Sequence, residues 1–83
     1  MVATFWGVAV KVDFGGAEEI LFEQVGCAGI VTLNRPSSLN AVNHGMVRAL
    51  ARALSAWETD DTVKLVIIRG EGRAFSAGGD ILD

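Results

Sequence analysis

Two adjacent glycines, Gly78 and Gly79, followed by Asp80 and placed just after a dense apolar run, are the residues best suited to chemistry. Glycine permits a positive φ and leaves no side chain between backbone amides and a ligand. If a helix starts near Gly79, its first N–H groups have no intrahelical partner and lie at the positive end of the helix dipole. Such donors hold a phosphate, or stabilise an oxygen that becomes negative during a reaction. The plain alternative is a strand-to-helix turn with Asp80 as an early acid. Taken alone, the tetrapeptide Ala77-Gly78-Gly79-Asp80 favours that alternative.

Asn34-Arg35-Pro36 and the loop to Ala41 form a second candidate. Arg35 follows a strand end, where ligands often sit in α/β folds. On spacing alone it reads as a solvated loop arginine. His44 is the single histidine, in the first turn of an amphipathic helix, and no acid is placed by sequence to orient it. Cys27 lies in a turn without an evident activating base and reads as a structural thiol. Glu58, Asp60 and Asp61 are the solvated end of a helix, and Trp57 belongs to its apolar stripe. No metal-ligand cluster and no Walker-type loop is present.

The elements that must position these groups are legible from residue 19 onward. Ile20, Phe22 and Val25 make a short β-prone run; Gly26, Cys27, Ala28 and Gly29 make a turn; residues 30–33 are a second run. Two such runs across a glycine-containing turn predict a hairpin. Arg35-Pro36 ends it, because proline cannot donate to a ladder. Met46, Leu50, Ala53, Leu54 and Trp57 then trace one helical stripe. Asn43 is its expected N-cap, and Arg48 and Arg52 fall on its wet side. Residues 63–68 read as a strand buried on both faces, as in parallel sheets. The order strand, strand, helix, strand and incipient helix defines an α/β fold that ends unfinished, with one helix for a strand that needs cover on two sides.

The chain of 83 residues is sized for one small domain, and its single cysteine excludes a disulfide framework. A net charge of -3 without a basic stripe argues against nucleic acid as partner. Charges interrupt every apolar run before it reaches the ~20 residues that span a bilayer, which argues against a membrane. Residues 1–17 are an apolar leader of unknown role, and residues 18–83 the portion of a domain. The leader lacks a signal-peptide pattern and has no arginine, so the cytoplasm is the expected compartment.

Taken together, three blocks resemble the opening of the enoyl-CoA hydratase/isomerase, or crotonase, superfamily. They are Gly29-Ile30-Val31-Thr32-Leu33-Asn34-Arg35-Pro36, then Leu39-Asn40-Ala41, then Ala74-Phe75-Ser76-Ala77-Gly78-Gly79-Asp80-Ile81. Their order and spacing match, and the resemblance covers about residues 18–82. Within the superfamily the chain is most similar to 3-hydroxyisobutyryl-CoA hydrolases, through Trp57-Glu58, Asp60, Leu65-Val66-Ile67-Ile68 and the glycine pair before Asp80.

The resemblance implies the N-terminal part of a crotonase-type strand-strand-helix spiral, truncated, whose complete form is a homo-oligomer. It implies a substrate thioester carbonyl held by two backbone N–H groups, one of them that of Gly79, with no cofactor apart from the coenzyme A of the substrate. Arg35, Ser38, Leu39, Ala41, Ala77, Gly78, Gly79 and Asp80 match the segments that receive the CoA-bearing substrate; Asp80 also ties down its loop. The second amide and the acids that handle water match nothing in these residues. The expected activity of the complete form is hydrolysis of 3-hydroxyisobutyryl-CoA, a step of valine catabolism, with this chain an inactive fragment. The alternatives are an enoyl-CoA hydratase/isomerase, a non-enzymatic piece that associates through its uncovered sheet, and a small CoA- or phosphate-binding module on the Gly78-Gly79 turn.

Overall fold

Two stretches with apolar side chains at alternate positions can bury them only by pairing and turning a common face to a third element. In the computed structural model, which describes residues 9–76, 78 and 79, the two stretches do this as an antiparallel hairpin. Its strands are β2 (Ile20–Val25) and β3 (Ala28–Leu33). The turn is shorter than the four residues expected: Val25 pairs with Ala28, so only Gly26 and Cys27 lie outside the ladder. Gly26 takes φ 58°, the positive φ that type II′ hairpin turns place at their first central residue.

Helix α1 (His44–Glu58) supplies the third element. The Asn43 side chain caps it as expected, accepting from the Met46 N–H at 2.9 Å. Its buried residues are Met46, Ala49, Ala53 and Trp57, packed on Ile20, Phe22, Val31 and Leu33. The stripe is rotated from the one expected: Leu54 is exposed, Leu50 is partly buried, and Ala49 is buried. Close approach to the sheet explains the shift. A Cβ on Gly29 would lie 2.7 Å from Trp57 ring atoms, so the indole rests on bare backbone. Phe14 completes the cluster, edge-on to Phe22 at 5.1 Å and to Trp57 at 5.8 Å.

Helix α1 carries the chain to β4 (Leu65–Gly70), which pairs in parallel with β3. A parallel pair requires such a crossover. The Cys27 carbonyl accepts from the Lys64 N–H at 2.7 Å, which sets the start of β4 beside the hairpin turn. At the helix end, Asp60 Oδ1 accepts from the Thr62 hydroxyl and the Thr62 N–H, and these bonds hold its carboxyl below the usual carboxylate range.

Strand β4 is not buried on both faces. Leu65, Val66, Ile67 and Ile68 are each 37–48% exposed, because α1 lies over β2 and β3 and β4 forms the edge of the sheet. On the opposite edge the sheet extends upstream of residue 18. Residues of the expected leader form β1 (Ala9–Val12), antiparallel to β2, and the strand order is β1-β2-β3-β4. The incipient helix expected after Gly79 lies outside the described residues.

Gly29→Ala should lower the stability of the intact protein by about 1–3 kcal/mol through overpacking against Trp57. Chemical denaturation measures this, and an unchanged midpoint would mean that the indole does not rest on β3.

Candidate functional site

The loops that leave the two parallel strands at their carboxyl ends run side by side. The first, residues 34–43, begins after β3, where Pro36–Ser38 form one 3-10 turn with proline at its start. Leu39 and Asn40 follow with φ 52° and 57°, two consecutive left-handed residues. A left-handed backbone is tolerated by asparagine better than by most side chains. Here it turns the Asn40 side chain into the protein, where the residue has no exposed surface.

Burying a carboxamide is unfavourable unless its donors and acceptor are paired. Asn40 meets that condition across both loops. Its Oδ1 accepts from the Arg35 N–H at 2.8 Å, while its Nδ2 donates to the Glu71 carbonyl at 2.7 Å and the Ala74 carbonyl at 2.8 Å. Its own carbonyl accepts from the Ser76 hydroxyl at 2.9 Å. Gly70, the last residue of β4, must be glycine for this to fit: a Cβ would lie 2.4 Å from the Phe75 oxygen and 2.8 Å from Asn40 Nδ2.

So braced, the second loop reaches Gly78, whose φ of 97° excludes a side chain without strain. The Val42 N–H donates to the Gly78 carbonyl at 2.8 Å, and Val42 and Gly79 form an isolated parallel bridge. The Gly78 carbonyl and the Gly79 N–H share one trans peptide, so they point in opposite directions. Holding the carbonyl on Val42 therefore aims the Gly79 N–H away from the loop. Gly79 is exposed, a Cβ on it would meet no described atom within 4 Å, and its N–H makes no hydrogen bond among the described residues. An oriented amide with no partner and no neighbour among the described residues can hold an anionic oxygen.

Of the other residues selected from sequence, Arg35 faces inward. Its Nε lies 3.2 Å from Glu19 Oε2 and its guanidinium donates to the Ala41 carbonyl at 2.8 Å. Glu19 Oε1 also accepts from Asn43 Nδ2, linking the loop to the helix cap. Arg35 thus shapes the loop rather than projecting from it. Ser38 is exposed, Leu39 and Ala41 are partly buried, and the Val42–Gly79 bridge brings this loop against the glycines. Ala77 and Asp80 lie outside the described residues. Asn40 stood in the sequence only as a loop former and a motif member; its role in joining the loops depends on partners more than 30 positions away.

A cleft of about 610 Å³ lies elsewhere. It lies on the sheet face opposite α1, where Arg69 donates to Thr32 Oγ1 and to Glu23 Oε1. None of the residues selected from sequence lines it, and the concavity is that of an open sheet face. Among the described residues no group of three His, Cys, Asp or Glu side chains could hold a metal ion, and no helix is long and apolar enough to cross a membrane.

A strand-strand-helix-strand unit with an outward amide after its last strand defines the opening of a crotonase-type fold. The sequence profile of the enoyl-CoA hydratase/isomerase family matches residues 28–83, and the chain belongs to that family. It is similar to the mitochondrial 3-hydroxyisobutyryl-CoA hydrolase of Xenopus tropicalis, 55% identical over 64 residues that make up 76% of this chain and 17% of that protein. The human mitochondrial 3-hydroxyisobutyryl-CoA hydrolase is 52% identical over 66 residues, 78% of this chain and 17% of that protein. Among solved structures, a carnitinyl-CoA dehydratase from Mycobacterium thermoresistibile superposes with a TM-score of 0.76 and 44% identity, over 78% of this chain and 19% of that one. The chain thus spans about one-sixth of the length of the curated relatives it matches.

Replacing Asn40 with alanine leaves the Arg35 N–H and two carbonyls without partners, so Asn40→Ala should destabilise the intact protein by about 3 kcal/mol or more. Asn40→Gly loses the same bonds but relieves the left-handed backbone, and thermal unfolding should rank it between alanine and the natural residue. Equal midpoints for all three would remove the brace from the argument.

Proposed function

We propose that the Gly79 N–H is one of the donors to the thioester oxygen of an acyl-CoA, in a protein that hydrolyses 3-hydroxyisobutyryl-CoA. The observation that carries this reading is the Gly79 amide itself: aimed outward by the Val42–Gly78 hydrogen bond and, among the described residues, unpaired and without a close neighbour. When a nucleophile adds to the thioester carbon, the carbonyl oxygen gains negative charge. A donor already in place stabilises that charge without reorganising, and losing one such donor costs about 3–4 kcal/mol. As the carbonyl re-forms, the C–S bond breaks and the CoA thiolate leaves and takes up a proton.

This reading assigns a second amide, and the groups that activate water and protonate the thiolate, to residues outside this chain. Ser38 and Leu39, at the tip of the loop that Arg35 shapes, are the surface it offers to the CoA portion. Hydrolysis is favoured over hydration by the 52–55% identity to relatives named as 3-hydroxyisobutyryl-CoA hydrolases. The likeness to a carnitinyl-CoA dehydratase favours a second reading, in which the same amide steadies the enolate of an acyl-CoA during addition or loss of water.

The deciding assay offers the intact protein 3-hydroxyisobutyryl-CoA and a 2-enoyl-CoA. Release of free CoA thiol from the first is expected; hydration of the second without thiol release would transfer the assignment to a hydratase. Gly79→Pro, which removes the N–H, should lower kcat by about 10²–10³-fold with a much smaller effect on CoA affinity. Equal losses in both would attribute the defect to the loop and not to the donor.

A further inference from the structure

The two glycines form two successive peptide units, and each unit is pinned by a different partner. The unit that ends in the Gly79 N–H is held through its carbonyl by Val42. The unit before it carries the Gly78 N–H, and that N–H donates to Ser76 Oγ at 3.0 Å. The Ser76 hydroxyl in turn spends its single proton on the Asn40 carbonyl, at 2.9 Å. A serine hydroxyl has one donor and accepts through its lone pairs, so these two bonds fix its rotor. The chain of contacts therefore runs from the buried Asn40, through Ser76, to the glycine that precedes the open amide.

We infer that Ser76 is a positioning residue that determines which glycine amide faces the substrate, an inference that rests on the reading of Gly79 as a thioester-oxygen donor. Gly78 has φ 97° and no side chain, so local sterics do little to prevent rotation of the peptides on either side. With Ser76 in place, the Gly78 N–H is satisfied, and Gly79 offers the open donor. Without the hydroxyl, the Gly78 N–H loses its one acceptor among the described residues, and its orientation is no longer fixed from that side. Among the described residues, the direction of the second unit then rests on the bond from Val42. Loss of direction at the donor weakens the transition state more than the ground state, because the charge on the oxygen is largest there. Ser38 and Leu39, the residues assigned to the CoA portion, make no hydrogen bond to Ser76 among the described residues.

Ser76→Ala in the intact protein should therefore lower kcat for thioester hydrolysis about tenfold, the effect of one hydrogen bond. KM and CoA affinity should stay close to those of the parent, and the thermal midpoint should fall far less than in Asn40→Ala. Ser76→Thr keeps the hydroxyl and should recover kcat to within about threefold of the parent. A parental kcat in Ser76→Ala, equal losses of kcat and CoA affinity, or a threonine variant as slow as the alanine one would each overturn the inference. Gly79→Pro assayed in parallel separates the two levels. If it is inactive while Ser76→Ala is unaffected, only the role of Ser76 falls; if it is active, the assignment of Gly79 falls and takes the role of Ser76 with it.

Discussion

A fully buried carboxamide with every polar atom engaged is the constraint on which this arrangement depends. Asn40 ties its own loop to the next where no continuous ladder joins them, and it stands in for that ladder. In a low-dielectric interior such a group is strongly bound when satisfied and costly when any partner is lost. That asymmetry makes it a fastener with two states and little between. The left-handed backbone at Leu39 and Asn40, the absence of a side chain at Gly70 and the inward turn of Ser76 are all concessions to its geometry.

Location follows from topology. Strands β3 and β4 are parallel, so their carboxyl ends lie together and the loops that follow them meet. Crevices beyond the carboxyl ends of parallel strands are where α/β folds place ligands. Here the loops meet through Asn40 and again at a bridge, Val42 to Gly79, nine residues beyond the end of each strand. The helix between the strands is capped by Asn43, which shares the Glu19 carboxylate with Arg35. Hairpin, helix start and amide are therefore linked through a handful of side chains rather than through an extensive core.

Most of the element order was legible in the sequence, because alternation and helical periodicity report burial that is local in the chain. The hairpin, the Asn43 cap, the Trp57 stripe and the strand at residues 65–68 are all of this kind. What was not legible depended on distance or on neighbours. Ala49 replaces Leu54 in the core where the helix sits close over Gly16, as Trp57 does over Gly29, and periodicity does not record such approaches. The apolar run of β4 predicts burial on both faces, yet apolar composition states what a strand can bury and not what is available to cover it. β1 drew no signal because four residues among small side chains alternate too briefly. At the site, the glycine pair stood out through its residue types, whereas Asn40 and Ser76 look like ordinary loop residues until their partners are seen.

The first loop also carries a constraint on length. The Arg35 carbonyl accepts from both Ser38 and Asn40, the Leu39 N–H returns to Pro36, and the Arg35 guanidinium returns to Ala41. Each closure counts residues and is indifferent to most side chains, and Pro36, Ser37 and Ser38 are exposed. Such a segment can drift in composition over evolutionary time while its residue count stays frozen. An insertion or deletion there would put the Asn40 carbonyl, and everything hung from it, out of step with the strand next door.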